Sequence, residues 1–357
     1  MGLRTSTGAP AVAHRPVPVG PPPLRLVDRE AREAAEDLAL APGATRAVGA
    51  GNRARPEAPD RFRTCFERDL DRIHHSRPFR RLAGKCQVFI APDDDHLRTR
   101  LTHAIEVAQV ATSIARGAGL NVALATAAAT AHDCGHGPAG HASEEALSGF
   151  VAGGYHHATY GADVVLAPLN LCAETLDAVR NHSWNRPAPA TPEGEVVAWA
   201  DRIAYVCHDF EDAVDAGIVT PADLPDSVGQ VVGTTRSRQL GAFIEAVLAT
   251  MADTGTVALR QPEADALAAL RAFNYERIYL RPEASEQARR VIRLLRSLTE
   301  WFIAHPRTDE AVPAPPPASP EAVQAAVRYV SGMTDRFALN LAVECLGWDR
   351  ASLPRGV

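Results

Sequence analysis

Residues 122–135 read VALATAAATAHDCG, a run that is apolar on every side before it reaches His132 and Asp133. A helix without a polar face is typical of a protein interior, so this run predicts a buried helix. An ionised carboxylate at the end of such a helix is costly unless a cation or hydrogen-bond donors compensate it. The sequence therefore predicts a buried polar centre within a helical core.

Helical periodicity covers most of the remaining chain, whereas few segments alternate with the period of two that is typical of strands. Long helices are predicted within residues 103–120, 193–217 and 283–306, where glycines close the first two and a proline closes the third. Within the first of these, five residues lie near one apolar stripe: Ile105, Ala108, Val110, Ile114 and Ala115. The predicted fold class is all-α.

The chain is predicted to form one compact domain with additions at both ends. A Pro/Ala-rich tail with a short helix occupies residues 1–57, and the domain proper occupies residues 58–310. Residues 311–320, AVPAPPPASP, are predicted to be a proline-rich linker. Residues 321–357 are then expected to pack on the core as a C-terminal helical segment.

Composition narrows the functional classes. The chain has 357 residues, of which 46% are hydrophobic, and its net charge of −6 gives no argument for nucleic acid as the main partner. Its six cysteines are scattered without a CxxC pair, which favours reduced, packed thiols over a zinc site or a disulfide framework. No apolar stretch is long enough to span a bilayer, so we expect a cytoplasmic protein without membrane partners.

One short segment, residues 131–145, concentrates titratable side chains: AHDCGHGPAGHASEE holds three histidines, an aspartate and two glutamates. It is either a metal and acid–base centre or a polar, glycine-rich loop. His103 and Asp201 are further polar residues in apolar helical surroundings, which need an explanation. With His132 and Asp133 they form an H…HD…D pattern, whose donors suit a divalent Mn, Mg, Co, Fe, Ni or Zn ion.

This pattern and its flanking segments resemble the HD-domain metallophosphohydrolases and, more narrowly, the deoxynucleoside triphosphate triphosphohydrolases, the dGTPase-like family. The similar segments run in the family's order from about residue 58 to beyond residue 330: FERDLDRIHHSRPFRRLAGKCQVF, RTRLTHAIEVAQVATSIARGAGL, AHDCGHGPAGHASEEAL, VVAWADRIAYVCHDFEDAV and VSGMTDRFAL. The resemblance implies an HD-domain helical bundle that binds a metal ion through His103, His132, Asp133 and Asp201. It also implies cleavage of a dNTP between the α-phosphorus and the 5′ oxygen, which releases a deoxynucleoside and inorganic triphosphate.

The resemblance also implies an acid–base group. His141 and Glu144 are three positions apart and would share a helix face, so we expect Glu144 to orient the His141 imidazole. An additional catalytic histidine is expected at His157, and His156 is its rival. Two exposed loop histidines are the alternative for that pair.

The residues that the resemblance assigns to the substrate are Arg100, His136, Arg202, Tyr205, Asp209, Arg271 and Tyr279. For the arginines at 100 and 202 the alternative is a surface salt bridge, for Asp209 a solvated carboxylate, and for His136 a hydrogen bond to a metal ligand. Ala139 replaces a bulky wall residue of the family, which puts base or sugar selectivity in doubt. The stretch with Arg80, Arg81, Lys85 and Gln87 is expected to contact the substrate, single-stranded nucleic acid or an activating nucleotide.

We therefore expect a metal-dependent dNTP triphosphohydrolase that forms a homo-oligomer, as the family usually does. Two other functions remain open from the sequence. One is an HD phosphohydrolase that acts on a monophosphate, a cyclic nucleotide or a modified nucleotide. The other is a non-catalytic protein that binds a nucleotide or single-stranded DNA.

Overall fold

The computed structural model describes residues 25–92, 94–307 and 313–354, and these residues form fifteen helices and no strand beyond isolated bridges. The helices are α1 (Arg29–Ala39), α2 (Cys65–His74), α3 (Arg77–Arg81), α4 (Arg100–Gly117), α5 (Val122–Ala131), α6 (His141–Ser148), α7 (His157–Tyr160), α8 (Ala173–Asn181), α9 (Pro192–Asp215), α10 (Asp226–Val232), α11 (Arg236–Thr254), α12 (Gln261–Asn274), α13 (Pro282–Ala304), α14 (Pro320–Ser331) and α15 (Asp335–Leu346). The predicted all-α fold class is confirmed.

The helix α5 lies at the centre of the fold, as its apolar sequence predicts. Seven of its ten residues are buried, and it packs against α2, α4, α8 and α9. The Asn121 side chain caps its first turn by accepting a hydrogen bond from the Leu124 amide. Because α4 and α9 both pack on α5, side chains from three helices can meet where α5 ends.

The predicted stripe of α4 is right for four residues and wrong for one. Ala108, Val110, Ile114 and Ala115 are buried, whereas Ile105 is 54% exposed. Two helical positions are about 200° of rotation, so a helix that turns His103 inward must turn Ile105 outward.

A second cluster of buried apolar residues lies between α6, α13, α14 and α15. Asp335, the first residue of α15, connects this cluster to the segment of residues 131–145. The Asp335 carboxylate accepts hydrogen bonds from the amides of Cys86 and Ala139, both at 2.8 Å. The helix α15, which follows the predicted linker, thus holds the segments around Cys86 and Ala139 in place. Residues 311 and 312 of that linker lie outside the described residues.

Residues between 29 and 57 are more closely packed than a tail. The buried Arg53 guanidinium pairs with Asp69 at 2.6 Å and donates to the Cys65 carbonyl at 2.8 Å. Thr45 donates to Glu193 at the start of α9. These contacts place the ordered structure further toward the N-terminus than the predicted boundary at residue 58, while residues 1–24 lie outside the described residues.

The six cysteines are all free thiols, and only Cys345 is not buried, which agrees with the predicted packed thiols. Over the described residues, none of the helices combines the length and apolarity that crossing a bilayer requires.

Candidate active site

Four polar side chains from three helices meet where α5 ends. His103 stands in the first turn of α4, His132 and Asp133 directly follow α5, and Asp201 lies within α9. Asp201 Oδ1 is 3.1 Å from His103 Nε2 and 3.6 Å from His132 Nε2. Asp133 Oδ1 is 3.4 Å from His132 Nε2. Ligands that each lie about 2.0–2.2 Å from one ion are separated by about this much, so all four residues predicted as ligands are suitably placed around one point.

The hydrogen bonding of His132 fits a metal ligand. Its Nδ1 lies 2.7 Å from the Ala129 carbonyl, which can only accept, so Nδ1 carries a hydrogen and Nε2 is the atom left to bind a cation. That Nε2 is buried and has no hydrogen-bond partner among the described residues. A buried polar atom without a partner is costly, and a cation between it and the carboxylates would satisfy it.

The electrostatics of the cluster also call for a cation. Burial opposes the ionisation of Asp133 and Asp201, yet the imidazoles around them hold the pKa of both carboxyls well below the usual range. Burial likewise opposes the charged form of His132, but the two carboxylates raise its pKa to about 9, so without a metal ion a proton on Nε2 would supply the positive charge that the carboxylates favour. Two ionised carboxylates and two imidazoles form a donor set that fits a divalent metal ion.

The loop from α5 to α6 depends on two glycines. A Cβ atom on Gly135 would lie 2.0 Å from the His157 carbonyl oxygen, and one on Gly140 would lie 2.2 Å from the Arg100 guanidinium. Gly140 also has a φ of +59°, which favours glycine. Its neighbour Ala139 has a φ of +57°, a strained value for a residue with a side chain. The loop therefore brings its backbone close to the site, and Ala139 forms part of the wall.

Glu144 does not pair with His141, as the sequence suggested, but with His157. Glu144 Oε1 lies 2.5 Å from His157 Nδ1 and accepts a hydrogen bond from the His157 amide at 2.8 Å. Spacing along α6 places Glu144 near His141, but the turn into α7 brings the His157 ring closer to the carboxylate. The carboxylate thus orients His157, and His141 is left to face the cavity.

Of the two adjacent histidines, His157 is the one that lines the cavity, whereas His156 is the half-buried residue that precedes α7. The His157 ring stacks on His136 with centroids 3.7 Å apart. His136 Nε2 is 3.2 Å from Asp133 Oδ1, a separation that suits the alternative of a hydrogen bond to a predicted metal ligand. His136, His141 and His157 form one continuous group of imidazoles beside the carboxylate cluster.

The cluster lies at a cavity of about 590 Å³. Beyond the metal ligands, ten residues were predicted to bind substrate or to catalyse; nine of them line this cavity, and the tenth, Glu144, contacts His157. The His141 ring is exposed to the cavity, but desolvation by the surrounding walls, with the nearby charge of Arg100, lowers its pKa to about 4. Arg100 is itself buried and pairs with Asp133 at 2.7 Å, so it is not in a surface salt bridge. Its Nε is buried and has no partner among the described residues, and so remains able to bind an anion.

The cavity is also lined by two arginines that lack a carboxylate partner within the described part of the chain, Arg202 and Arg271. The Arg202 guanidinium stacks 3.9 Å from the centroid of the Trp184 ring. Arg271 Nε donates to the Tyr205 hydroxyl at 3.0 Å. Neutral partners leave the charge of both guanidinium groups uncompensated, which suits a site for an anion.

Asp209 is buried, so the solvated carboxylate considered from the sequence is wrong. It accepts a short hydrogen bond from the Tyr279 hydroxyl, while its Oδ1 has no partner among the described residues. Burial raises the pKa of Asp209 to about 8. Tyr279 belongs to a π-helical turn, Tyr275–Tyr279, that continues α12 and directs its tyrosines toward the cavity.

Sequence reasoning missed two residues and misjudged a third. His182, at the end of α8, places its Nε2 3.2 Å from His157 Nε2, and Trp184 lines the cavity rim two residues later. The segment NHSWN was the available signal, since a tryptophan two residues after a histidine in a polar loop is unusual. Lys85, which was expected to contact a ligand, cannot do so, because it is buried and donates to the carbonyls of His136 and Ser331. Of the other residues in that stretch, Gln87 lines the cavity, whereas Arg80 and Arg81 are exposed.

Comparison with protein-family models matches residues 100–206 to the HD domain and residues 257–344 to the phosphohydrolase-associated domain. The fold and the His/Asp cluster therefore define an HD-domain protein, a class of metal-dependent phosphohydrolases. A deoxyguanosinetriphosphate triphosphohydrolase-like protein from Caldanaerobacter subterraneus subsp. tengcongensis is 37% identical over 319 residues, covering 87% of this chain and 93% of the relative. Proteins of the same description from Clostridium perfringens, 35% identical over 81% of this chain and 88% of the relative, and from Desulfatibacillum aliphaticivorans, 34% identical over 87% and 96%, are also similar. The chain belongs to the family of deoxyguanosinetriphosphate triphosphohydrolase-like proteins.

Proposed function

We propose that the protein hydrolyses deoxynucleoside triphosphates to a deoxynucleoside and inorganic triphosphate. One observation carries the proposal: a His/Asp cluster suited to a divalent metal ion lines the same cavity as two arginines that have no carboxylate partner among the described residues. A triphosphate ester requires both features, since its chain carries several negative charges and its reacting phosphorus needs an electrophilic partner. The names of the relatives support the same substrate class.

In this proposal His103, His132, Asp133 and Asp201 hold the metal ion. When bound there, the ion would polarise the α-phosphate and help to activate water. Arg100 would bind the phosphate from the same side, because its Nε remains available beside Asp133. Arg202 and Arg271, which line the same cavity, would bind the rest of the triphosphate chain.

Proton transfer falls to the imidazoles beside the cluster. His141 and His157 both face the cavity, and Glu144 holds Nδ1 of His157, so that Nε2 of this ring is directed inward. Such a carboxylate–imidazole pair can deliver a proton to a leaving 5′ oxygen. His136, which is bonded to Asp133, would contact the same phosphate.

The sugar would lie against Tyr205, Asp209 and Tyr279. Oδ1 of Asp209 is buried and has no partner among the described residues, which suits a hydrogen bond with a 3′ hydroxyl. The Tyr205 ring would pack on a sugar that lacks the 2′ hydroxyl. Ala139 leaves room in the wall for a base that a bulkier residue would exclude.

The test is product identification with purified protein. Each of the four dNTPs is supplied with Mn²⁺, Mg²⁺ or Co²⁺, with and without a second nucleotide as activator. Equal amounts of deoxynucleoside and inorganic triphosphate are expected, and the variant His141→Ala should bind nucleotide while losing turnover. Absence of both products under every condition would contradict the proposal.

Two other functions give different products. An HD phosphohydrolase for a monophosphate, a cyclic nucleotide or a modified nucleotide would leave dNTPs intact or release orthophosphate. A protein that binds nucleotide or single-stranded DNA without catalysis would bind equally well before and after loss of His141 and would release nothing. We further propose that the protein acts as a homo-oligomer, which light scattering would measure.

A further inference from the structure

Trp184 is an aromatic residue at the cavity rim that is 48% exposed and yet firmly held. Its Nε1 donates to the carbonyl of Ala198 on α9 at 3.1 Å. Its ring packs edge-on against Trp199 with centroids 4.7 Å apart, and Trp199 Nε1 donates to the Val257 carbonyl at 2.9 Å. The position of the indole is therefore fixed by α9 and by a second tryptophan, although nearly half of its surface contributes nothing to the core.

Within the described part of the chain, the charged group that stacks on this indole is the guanidinium of Arg202, 3.9 Å from the ring centroid. Ala198 and Arg202 are one helical turn apart on α9, so the indole bonds to one turn and stacks under the side chain of the next. Arg202 has no ion-pair partner among the described residues, and its other aromatic contact, Tyr205, is farther away at 5.7 Å. The stack is thus the main contact that determines where the guanidinium points.

We propose that Trp184 is a positioning residue that holds Arg202 toward the cavity for the phosphate chain of the substrate. The inference rests on the proposed function. A free arginine side chain loses considerable rotamer freedom when it binds a ligand, and part of this loss is already incurred when the guanidinium lies flat on a fixed ring. Stacking uses the face of the guanidinium and leaves its N–H edges free to donate to phosphate oxygens.

A tryptophan at a nucleotide site could instead stack on the base. The geometry favours the arginine, because its guanidinium already lies 3.9 Å from the ring centroid and both residues line the cavity. A ligand without a base separates the two roles. Inorganic tripolyphosphate retains the phosphate chain and cannot stack, so its affinity responds to Trp184 only if the residue acts through the phosphate site.

The experiment compares Trp184→Leu, Trp184→Phe and the unchanged protein by calorimetric titration with tripolyphosphate at fixed Mg²⁺ and by dGTP kinetics. Trp184→Leu should weaken tripolyphosphate binding and raise KM by roughly three- to thirty-fold, the range of a cation–π contact, with little change in kcat. Trp184→Phe keeps an aromatic face and should recover most of the loss. Trp301→Leu is the control, since Trp301 stacks on His305 away from the cavity and should leave tripolyphosphate binding unchanged.

A double-mutant cycle tests whether Trp184 acts through Arg202. In an Arg202→Met background, Trp184→Leu should cause no further loss of tripolyphosphate affinity. Equal losses in both backgrounds, or a loss confined to dGTP with tripolyphosphate unaffected, would overturn the positioning role. If the unchanged protein binds neither tripolyphosphate nor dGTP, the proposed function itself fails, and this outcome differs from binding that is insensitive to Trp184.

Discussion

Glu144 holds His157 by two hydrogen bonds, one to the ring Nδ1 at 2.5 Å and one to the backbone amide at 2.8 Å. The carboxylate therefore fixes both the position of the residue and the direction of its ring. Because Nδ1 is engaged, Nε2 is the atom that faces the cavity and His182. This pairing makes Glu144 a residue that acts through His157.

Glu144→Gln should lower kcat for dNTP hydrolysis by about 10²- to 10⁴-fold with little change in KM, because the amide cannot stabilise a charged imidazole. The loss should nearly disappear in a His157→Asn background, where no ring remains to be oriented. Steady-state kinetics of the two single variants and the double variant measure this. Independent, multiplicative losses would mean that Glu144 acts on another group, such as His141.

Asp201→Asn should abolish metal binding, because Asp201 Oδ1 lies within 3.6 Å of both histidines of the cluster and is the only ligand that α9 supplies among the four proposed. Elemental analysis of purified protein should find about one ion per chain before the substitution and far less afterwards. Asp215→Asn, an exposed change at the end of the same helix, is the matched control and should retain the metal. Equal metal content in the two variants would contradict the assigned ligand set.

The sequence predicts much of the metal cluster for a physical reason. An apolar helix that ends in His132 and Asp133 has to be buried, and buried polar groups require partners, which restricts the candidates to polar residues in other apolar helices. His103 and Asp201 meet that condition, and the structure brings both to the end of α5. The local sequence pattern was sufficient here, because the burial of His132 and Asp133 and the chemistry of a cation site both require polar partners from other apolar helices.

Contacts between segments that are distant in sequence could not be predicted from helical periodicity. Helical spacing predicted that Glu144 would pair with His141, whereas the turn after α6 delivers His157 instead. Likewise, nothing in the Arg/Pro-rich stretch near Arg53 indicated its buried pair with Asp69. In both cases the tertiary path of the chain determines the partner, and neither propensity nor periodicity encodes that path.

Asp209 should make folding stability depend on pH. Burial raises its pKa to about 8, whereas an unfolded chain ionises an aspartate near pH 4. Between these values the unfolded state releases a proton that the folded state keeps, so the contribution of Asp209 becomes increasingly unfavourable to folding as pH rises through this window. Asp209→Asn should therefore raise the free energy of unfolding at pH 7.5 by roughly 2–5 kcal/mol.

The gain from Asp209→Asn should shrink as pH falls toward 4, where Asp209 is protonated in both states. Urea unfolding of the two proteins at pH 5 and pH 7.5 measures the difference. A stabilisation of the same size at both pH values would show that the effect comes from packing around Tyr279 rather than from ionisation.

Gly135→Ala should prevent the site from forming. The added Cβ would lie 2.0 Å from the His157 carbonyl oxygen and 2.6 Å from the Gly161 backbone, and neither backbone segment can move without displacing α7. We expect a loss of about 3 kcal/mol or more in the free energy of unfolding, or no soluble protein. Gly149→Ala is the control, because its Cβ would meet nothing within 4 Å and Gly149 has an ordinary helical φ of −67°.

Asp335→Ala should weaken both the fold and the cavity, although the residue lies outside the HD domain match. Its carboxylate satisfies the buried amides of Cys86 and Ala139, and each amide left without an acceptor costs about 1–3 kcal/mol. Gln87 and Ala139, which line the cavity, adjoin or carry these amides, so kcat/KM for dNTP hydrolysis should fall even well below the unfolding temperature. Asp349→Ala, which removes an acceptor from an exposed amide, should cost about 1 kcal/mol at most and leave activity intact. Equal effects of the two variants on kcat/KM would mean that α15 supports the fold without shaping the site.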